Sequence, residues 1–507
     1  MSVSRNRESF KIGLVELPYV TLLDSDGTDM LETYIDIPLI SKQILMASLI
    51  KGGFGARLVD MRGTGMEEFG AATWNGRELR KVFLGRKIRE LDPDAYDAWG
   101  ITSNYMQNRE ASCIAISHLS KTGRPVIAGG SDAIAVPEVY LKAGAKAVIT
   151  DKSGASNLTL LDYLLKIPVK EDLTGVILSD GRIFKNPARP MSPEDWPVPS
   201  ADLIRECLGF GGSHMLQMLE KSVLYNSTMF DIGCDRKCDF CMTPTYGLGY
   251  KRMMPETALE WCSVSKQAGA KIIVCDSDQF LGRVNYKNGK EEVAELMAGL
   301  REMELPIVWG NGTDLKKLTV DYGKGKENLL IKDEKLIRTM FEPNSKGGCF
   351  GTYIPAERPL LNRESYTKLL PWNHHCEVVK AIAGTGIPNI AYAVIIGFPD
   401  DSHESLLHLE EAVSGLYEEV KRVSPSTNFI SWPLTITPIP GTPMAERLEK
   451  MGLCPFKDEP VINGAFRLAS VNTHYMSYDE VYSWRLRLMK IGDMSFDLRK
   501  YKEDSEE

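Results

Sequence analysis

Three cysteines within eight residues carry the strongest chemistry in the chain. Residues 233–242 read GCDRKCDFCM, which sets Cys234, Cys238 and Cys241 in a Cys-x3-Cys-x2-Cys pattern. A structural zinc site wants four ligands, usually as two pairs, and no fourth Cys or His stands at a fitting interval; neither Cys262 nor His374-His375 has finger-like spacing. Three thiolates on one short loop suit a cubane [4Fe–4S] cluster held at three corners, with the fourth iron open to another ligand. Phe240, just before the last cysteine, would cover such a cluster and exclude water. The other seven cysteines (Cys113, Cys207, Cys262, Cys275, Cys349, Cys376 and Cys454) are scattered and read as small buried hydrophobes.

Weaker candidates surround this loop. Tyr246 and Tyr250 follow it and either face an active site or pack a barrel. Lys251-Arg252 is either a partner for a substrate carboxylate or a solvated basic turn. In the triplet His374-His375-Cys376, neighbouring side chains on a helix diverge, which favours a structural or substrate-contact role over a metal site.

The elements that must hold these residues follow an α/β pattern. Residues 11–17 (KIGLVEL), 56–60, 95–102, 125–128 and 145–150 read as strands, with helices over 39–51 (closing at Gly52-Gly53) and 108–121. That alternation predicts a doubly wound parallel sheet, which binds ligands beyond its strand carboxyl ends, here near Arg62, Ser103 and Gly129-Gly130. Residues 186–200 hold five prolines and read as a linker. Strands at 223–225, 271–275, 307–309, 350–354, 390–396 and 429–434 then predict a partial barrel of six βα units, with chemistry at the strand C-termini. After Pro443 the chain reads as mostly helical, and its acidic tail, YKEDSEE, as frayed. The divisions are 1–184, 185–215, 216–444 and 445–507.

Composition bounds the rest. With 507 residues, 43% hydrophobic and 25% charged, the chain can bury more than one core, and a net charge of −8 argues against a nucleic-acid surface. No run of 18 apolar residues and no apolar leader appear, so a cytoplasmic protein without a membrane anchor is expected. No Gly-x-Gly-x-x-Gly opens the first helix, which disfavours a nicotinamide site.

Cys-x3-Cys-x-aromatic-Cys directly after a strand resembles the radical S-adenosylmethionine (SAM) superfamily. The resemblance implies that the open iron chelates the amino and carboxylate groups of SAM. It places Asp276-Ser277-Asp278 where relatives carry a Gly-Gly-Glu-like patch for the SAM amino group, with the acidic character kept and the glycines lost. By the same resemblance Glu357 in IPAE approaches the SAM ribose region, and Ile396-Gly397 in VIIGFP meets the adenine through its backbone. Phe240 joins this SAM set, and TPIPGTP at 437–443 resembles the signature closing the sixth strand.

The N-terminal half resembles the B12-binding domain of class B radical SAM enzymes. The carrying segments are DAYDAWGITS (94–103), PVIAGGSDAIAVPE (125–138), AGAKAVITD (143–151) and DWPVPSADL (195–203). The implied fold is a Rossmann-like cobalamin-binding domain, a partial (β/α)6 radical SAM barrel and a helical C-terminal region. Gly129 and Gly130 would let the corrin approach the backbone, with Thr102, Ser103 and Ser131 on the same edge. The Asp-x-His-x-x-Gly motif is absent and no histidine precedes His118, so a lower-face histidine from this domain is not expected. Arg62 is either a neighbour of that face, where its charge would discourage a sixth cobalt ligand, or a strand-capping arginine.

The implied activity is a cobalamin-dependent radical SAM methyltransferase, passing a methyl group from SAM through methylcobalamin to a carbon of a small-molecule or peptide substrate. A second SAM would supply the substrate radical, although some relatives methylate by a polar route. The implied cofactors are a [4Fe–4S] cluster, SAM and cobalamin. An external electron donor such as a flavodoxin or ferredoxin is implied as partner. Two rivals share the motif: a radical SAM enzyme that cyclises or rearranges without methyl transfer, and a non-catalytic iron–sulfur binding or sensing protein.

Overall fold

The computed structural model describes residues 6–33, 35–168, 172–211, 223–320, 331–345, 347–361, 366, 368–493 and 499–501. Most of the acidic tail lies outside them.

Strand β1 (Lys11–Glu16) is apolar and buried on both faces, as a central strand of a parallel sheet must be. The chain continues through β2 (Tyr19–Leu23), the helix Ile40–Lys51, β3 (Gly55–Asp60), the hairpin β4 (Arg62–Trp74) and β5 (Arg77–Gly85), then β6 (Ala98–Thr102), β7 (Val126–Gly129), β8 (Ala147–Ile149), β9 (Val176–Leu178) and β10 (Ile183–Phe184). The main sheet has the order β10-β9-β8-β7-β6-β1-β3. Strands β3, β1, β6, β7 and β8 run parallel, and β9 and β10 close the edge antiparallel. In chain order the parallel strands run second, first, third, fourth, fifth, a common doubly wound order whose ligand crevice opens between β1 and β6.

A second layer was not expected from the sequence. Strands β2, β5 and β4 form a separate antiparallel sheet. Its hairpin turns at Asn75 and Gly76, with φ of 48° and 70°, the left-handed pair that a two-residue type I′ turn requires.

After the proline-rich stretch come β11 (Gly209–Phe210), β12 (Leu224–Thr228), a small hairpin of β13 (Asp231–Ile232) with β14 (Lys251–Arg252), then β15 (Ile272–Cys275), β16 (Pro306–Trp309), β17 (Gly348–Glu357), β18 (Asn389–Ile396) and β19 (Asn428–Thr435). Strands β12, β15, β16, β17, β18 and β19 are parallel and neighbours in sequential order, with β11 antiparallel on the edge. This is the six-stranded open barrel expected. Its outer face packs on helices through Ile390, Tyr392, Val394 and Ile396, while Ala393, Ile430 and Trp432 cluster with Tyr353 and Leu434. Tyr225, Ile272, Val274 and Val308 make a further cluster against Phe350.

The C-terminal helices bind both halves together. Arg485 forks onto Glu32 at 2.5 and 2.8 Å, Trp74 donates its indole N–H to Ala469 O at 2.9 Å, and Lys81 pairs with Glu459 at 2.8 Å. The unexpected antiparallel sheet is therefore the surface on which the C-terminal region docks. From the other side, Gln43 donates to Asn226 Oδ1 at 2.7 Å, tying the first helix to β12. No helix among the described residues is long and apolar enough to cross a membrane.

Candidate active site between the two sheets

The loop bearing Cys234, Cys238 and Cys241 hangs between β13 and β14, just beyond the carboxyl end of β12. Gly233 starts it with φ 79°, and a Cβ there would stand 1.7 Å from Gly249 O, so only glycine fits. The Gly233 N–H donates to Asp278 at 2.7 Å, Arg236 pairs with Asp314 at 2.7 Å, and Lys317 pairs with Asp235. Two N–H groups point at one sulfur: Arg236 N lies 3.4 Å and Gln279 Nε2 4.0 Å from Cys234 Sγ.

Burial pushes the Cys234 thiol up to about 11 and Cys238 to about 12, and raises Cys241 as well. The three sulfurs interact electrostatically with one another, yet no three His, Cys, Asp or Glu among the described residues converge to hold a single ion. Phe240 packs against Tyr366 and Phe398, with ring centroids 5.7 and 6.0 Å away, and so walls the loop on its apolar side.

The strand ends sort the SAM candidates. Asp276 and Asp278 keep part of their surface open at the end of β15. Burial pushes Asp276 up to about 6, against a hydrogen bond from Ser227, and raises Asp278, against the Gly233 N–H and the charge of Lys152. Ser277 is buried, and its hydroxyl accepts from Phe230 N at 2.9 Å, so it serves the fold. Glu357 ends β17 at φ 57° and pairs with Lys368. Burial alone would lower Lys368; the paired Glu357 carboxylate holds it above its ordinary range. At Ile396-Gly397 the isoleucine side chain is buried, and the N–H groups of Gly397 and Phe398 both go to Asp401, at 2.8 and 3.0 Å. Any ligand meets this turn without those donors.

Across from this mouth stand the strand ends of the N-terminal sheet. Thr102 is in register with Gly129, and Ser103 N donates to Gly129 O at 2.8 Å. Gly130 has φ 96°, and a Cβ there would lie 2.4 Å from Ser103 O, whereas one on Gly129 would meet nothing within 4 Å. The glycine pair is thus a tight turn beside open space. Ser103 lines this edge only by its backbone; its buried hydroxyl shares a 2.8 Å hydrogen bond with the Tyr140 hydroxyl, which itself donates to Asp132 in a network with Arg109. Arg62 is engaged elsewhere: it pairs with Asp60 at 2.8 Å, donates to Ile37 O at 2.7 Å and lies over the Tyr19 ring. These are the partners of a strand-capping arginine.

Three residues of this junction were not singled out from the sequence: Asn104, Tyr105 and Lys152. Tyr105 lies in the loop at the crevice between β1 and β6 and is 52% exposed. Lys152 reaches Ser131 Oγ at 3.2 Å and Asn104 Oδ1 at 3.4 Å. Tyr246, from the cysteine loop, donates to Ser131 Oγ at 2.5 Å, which joins the two strand-end surfaces directly.

The remaining candidates resolve as structure. Tyr250 donates to Phe280 O at 3.3 Å, Arg252 forks onto Glu292 at 2.7 Å, and His375, pushed down to about 3 by burial, shares a 2.7 Å hydrogen bond with Tyr392. His118 bonds Leu91 O at 2.8 Å.

The doubly wound sheet and the six-stranded open barrel together make the fold seen in solved cobalamin-dependent radical SAM enzymes. The chain is similar to TsrM from Kitasatospora setae, a radical SAM methyltransferase solved with cobalamin and a [4Fe–4S] cluster, with 13% identity and a TM-score of 0.55 over 87% of this chain and 78% of that one. It is also similar to OxsB, a cobalamin-dependent SAM radical enzyme solved with aqua-cobalamin and SAM, with 14% identity and a TM-score of 0.64 over 92% of this chain and 64% of that one. The chain thus spans less than two thirds of OxsB. No protein-family model matches the sequence, and no curated protein does.

Proposed function

We propose that this chain is a cobalamin-dependent radical SAM methyltransferase, moving a methyl group from SAM to a carbon of a small-molecule or peptide substrate. The observation that carries it is the direct apposition of the cysteine loop and the Gly129-Gly130 turn through Tyr246 and Ser131. Two cofactor surfaces that close on one space are what a two-cofactor reaction needs.

When bound, the cluster with SAM supplies a carbon radical and cobalamin supplies a transferable methyl group. Cys234, Cys238 and Cys241 would hold the cluster. Asp276 and Asp278 present carboxylates at the neighbouring strand end, where a SAM amino group would be recognised. Gly129, with no Cβ, leaves the N-terminal edge open to the corrin, while Thr102, Ser131 and the backbone of Ser103 border it. Phe240, Tyr366 and Phe398 exclude water beside the cluster loop. A reductant, such as a flavodoxin or ferredoxin, completes the requirement.

The test is anaerobic purification with hydroxocobalamin, followed by iron, sulfide and cobalt counts and then product analysis with SAM. About four irons and about one cobalt per chain, with S-adenosylhomocysteine formed, support the proposal. Four irons without cobalt would remove methyl transfer and leave radical SAM chemistry. No 5′-deoxyadenosine, S-adenosylhomocysteine or methylated product from a reduced, reconstituted sample would remove the enzyme reading altogether.

A further inference from the structure

Lys152 stands at the junction with a charge that no carboxylate among the described residues neutralises by contact. It follows β8 in the turn Asp151-Lys152-Ser153, and that turn is built to hold it. Asp151 accepts from Ser153 N at 2.9 Å, Ser153 Oγ at 2.6 Å and Ser156 N at 3.0 Å, while Ser153 O takes the Trp196 indole N–H at 3.1 Å. The ammonium reaches out of this rigid turn to Ser131 Oγ and Asn104 Oδ1, and lies 5.4 Å from the Tyr246 ring centroid. Those partners are neutral. Among the described residues no carboxylate forms an ion pair with it; Asp278 acts on it at longer range while accepting from Gly233 N.

A lysine has three N–H donors, and burying its charge is costly without an anion in contact. Burial indeed pushes Lys152 below its ordinary range. The half-buried side chain is not sealed in a core. Its partner Ser131 follows the Gly129-Gly130 turn, and the Tyr246 ring beneath it belongs to the cysteine loop, so the lysine borders the space between that loop and that turn. A compact ammonium at the edge of a ligand space is the usual point contact for a phosphate or carboxylate oxygen.

We propose that Lys152, with Ser131 and Asn104 orienting it, binds an anionic oxygen of a cofactor held between the two sheets. The oxygen is either the nucleotide-loop phosphodiester of cobalamin or the carboxylate of SAM. This inference rests on the two-cofactor reading above.

The experiment compares wild type with Lys152→Gln, Lys152→Met, which keeps most of the aliphatic stem, and Lys152→Arg, which keeps the charge. Hydroxocobalamin and cobinamide, which lacks the nucleotide loop, are titrated optically into cluster-free protein. SAM is titrated into the reconstituted protein by equilibrium dialysis. Loss of one charge-assisted contact predicts an affinity loss of about tenfold or more in the Gln and Met variants, with partial recovery in Arg. A loss for hydroxocobalamin but not cobinamide assigns the phosphodiester, and a loss for SAM assigns the carboxylate. Wild-type affinities for both ligands in folded Gln and Met variants overturn the inference and leave the proposed function standing. Wild-type protein that binds neither ligand overturns the proposed function, and this inference with it.

Discussion

Tyr246 Oη and Ser131 Oγ, 115 residues apart in sequence, lie 2.5 Å apart across the two strand-end surfaces. One belongs to the cysteine loop and the other to the turn after β7, so this hydrogen bond links the two halves of the site directly. Burial holds the Tyr246 hydroxyl above its ordinary range, which keeps it protonated and donating at every physiological pH. The single changes Tyr246→Phe and Ser131→Ala should each cost about 1 kcal/mol, and the double variant less than their sum. Urea unfolding of the four proteins measures the coupling. Strictly additive effects would show that the two surfaces are not held by this bond.

The cysteines separate by role. Cys234, Cys238 and Cys241 line one loop, whereas Cys262 is fully buried on the helix Pro255–Ala268. Changing any of the first three to Ala should lower iron well below about four per chain after anaerobic reconstitution. Cys262→Ala should keep the full iron content and lose about 1 kcal/mol of stability through its small cavity. Equal iron in all four variants would place the metal elsewhere.

Asp231 makes stability depend on pH. Its buried carboxyl is pushed up to about 7, against the pull of Arg283 and the N–H of Gln279. A carboxyl raised in the folded state stabilises that state while protonated. The contribution is complete below about pH 4 and is lost as pH rises through about 7. Asp231→Asn should remove this component, so its thermal midpoint relative to wild type improves on going from pH 5 to pH 8. A constant difference between the two proteins over that range would show that Asp231 titrates normally.

The two main sheets were legible because parallel strands buried on both faces leave continuous apolar runs, such as KIGLVEL and NIAYAVII. The antiparallel layer was not. Strand β4 is largely exposed and rich in Gly and Glu, so it shows no apolar run, and its one clear signal was the Asn75-Gly76 turn. In the site, positions were readable but orientations were not. Ser103 and Ser277 stand at the expected strand ends, yet their hydroxyls turn inward to Tyr140 and Phe230 N. Arg62 depends on where Asp60 and Tyr19 lie around it. Lys152 and Tyr105 gain meaning only when the sheets close on each other, a relation that no local spacing encodes.

The adjacent glycines at 129 and 130 should fail in different ways when given a side chain. At Gly130 the backbone is left-handed, with φ 96°, and the new Cβ would press 2.4 Å from Ser103 O. Gly130→Ala therefore strains the turn itself, costing upwards of about 1 kcal/mol whether or not ligand is present. Gly129 ends β7 in ordinary strand conformation, and its Cβ would meet no protein atom within 4 Å. Gly129→Ala should leave the thermal midpoint of the cofactor-free protein nearly unchanged. If the open space there is where a corrin lies against the backbone, Gly129→Ala and Gly129→Val should both weaken hydroxocobalamin binding, Val more than Ala, as seen by optical titration. Unchanged cobalamin affinity in Gly129→Val would show that the space beside Gly129 is not the corrin site.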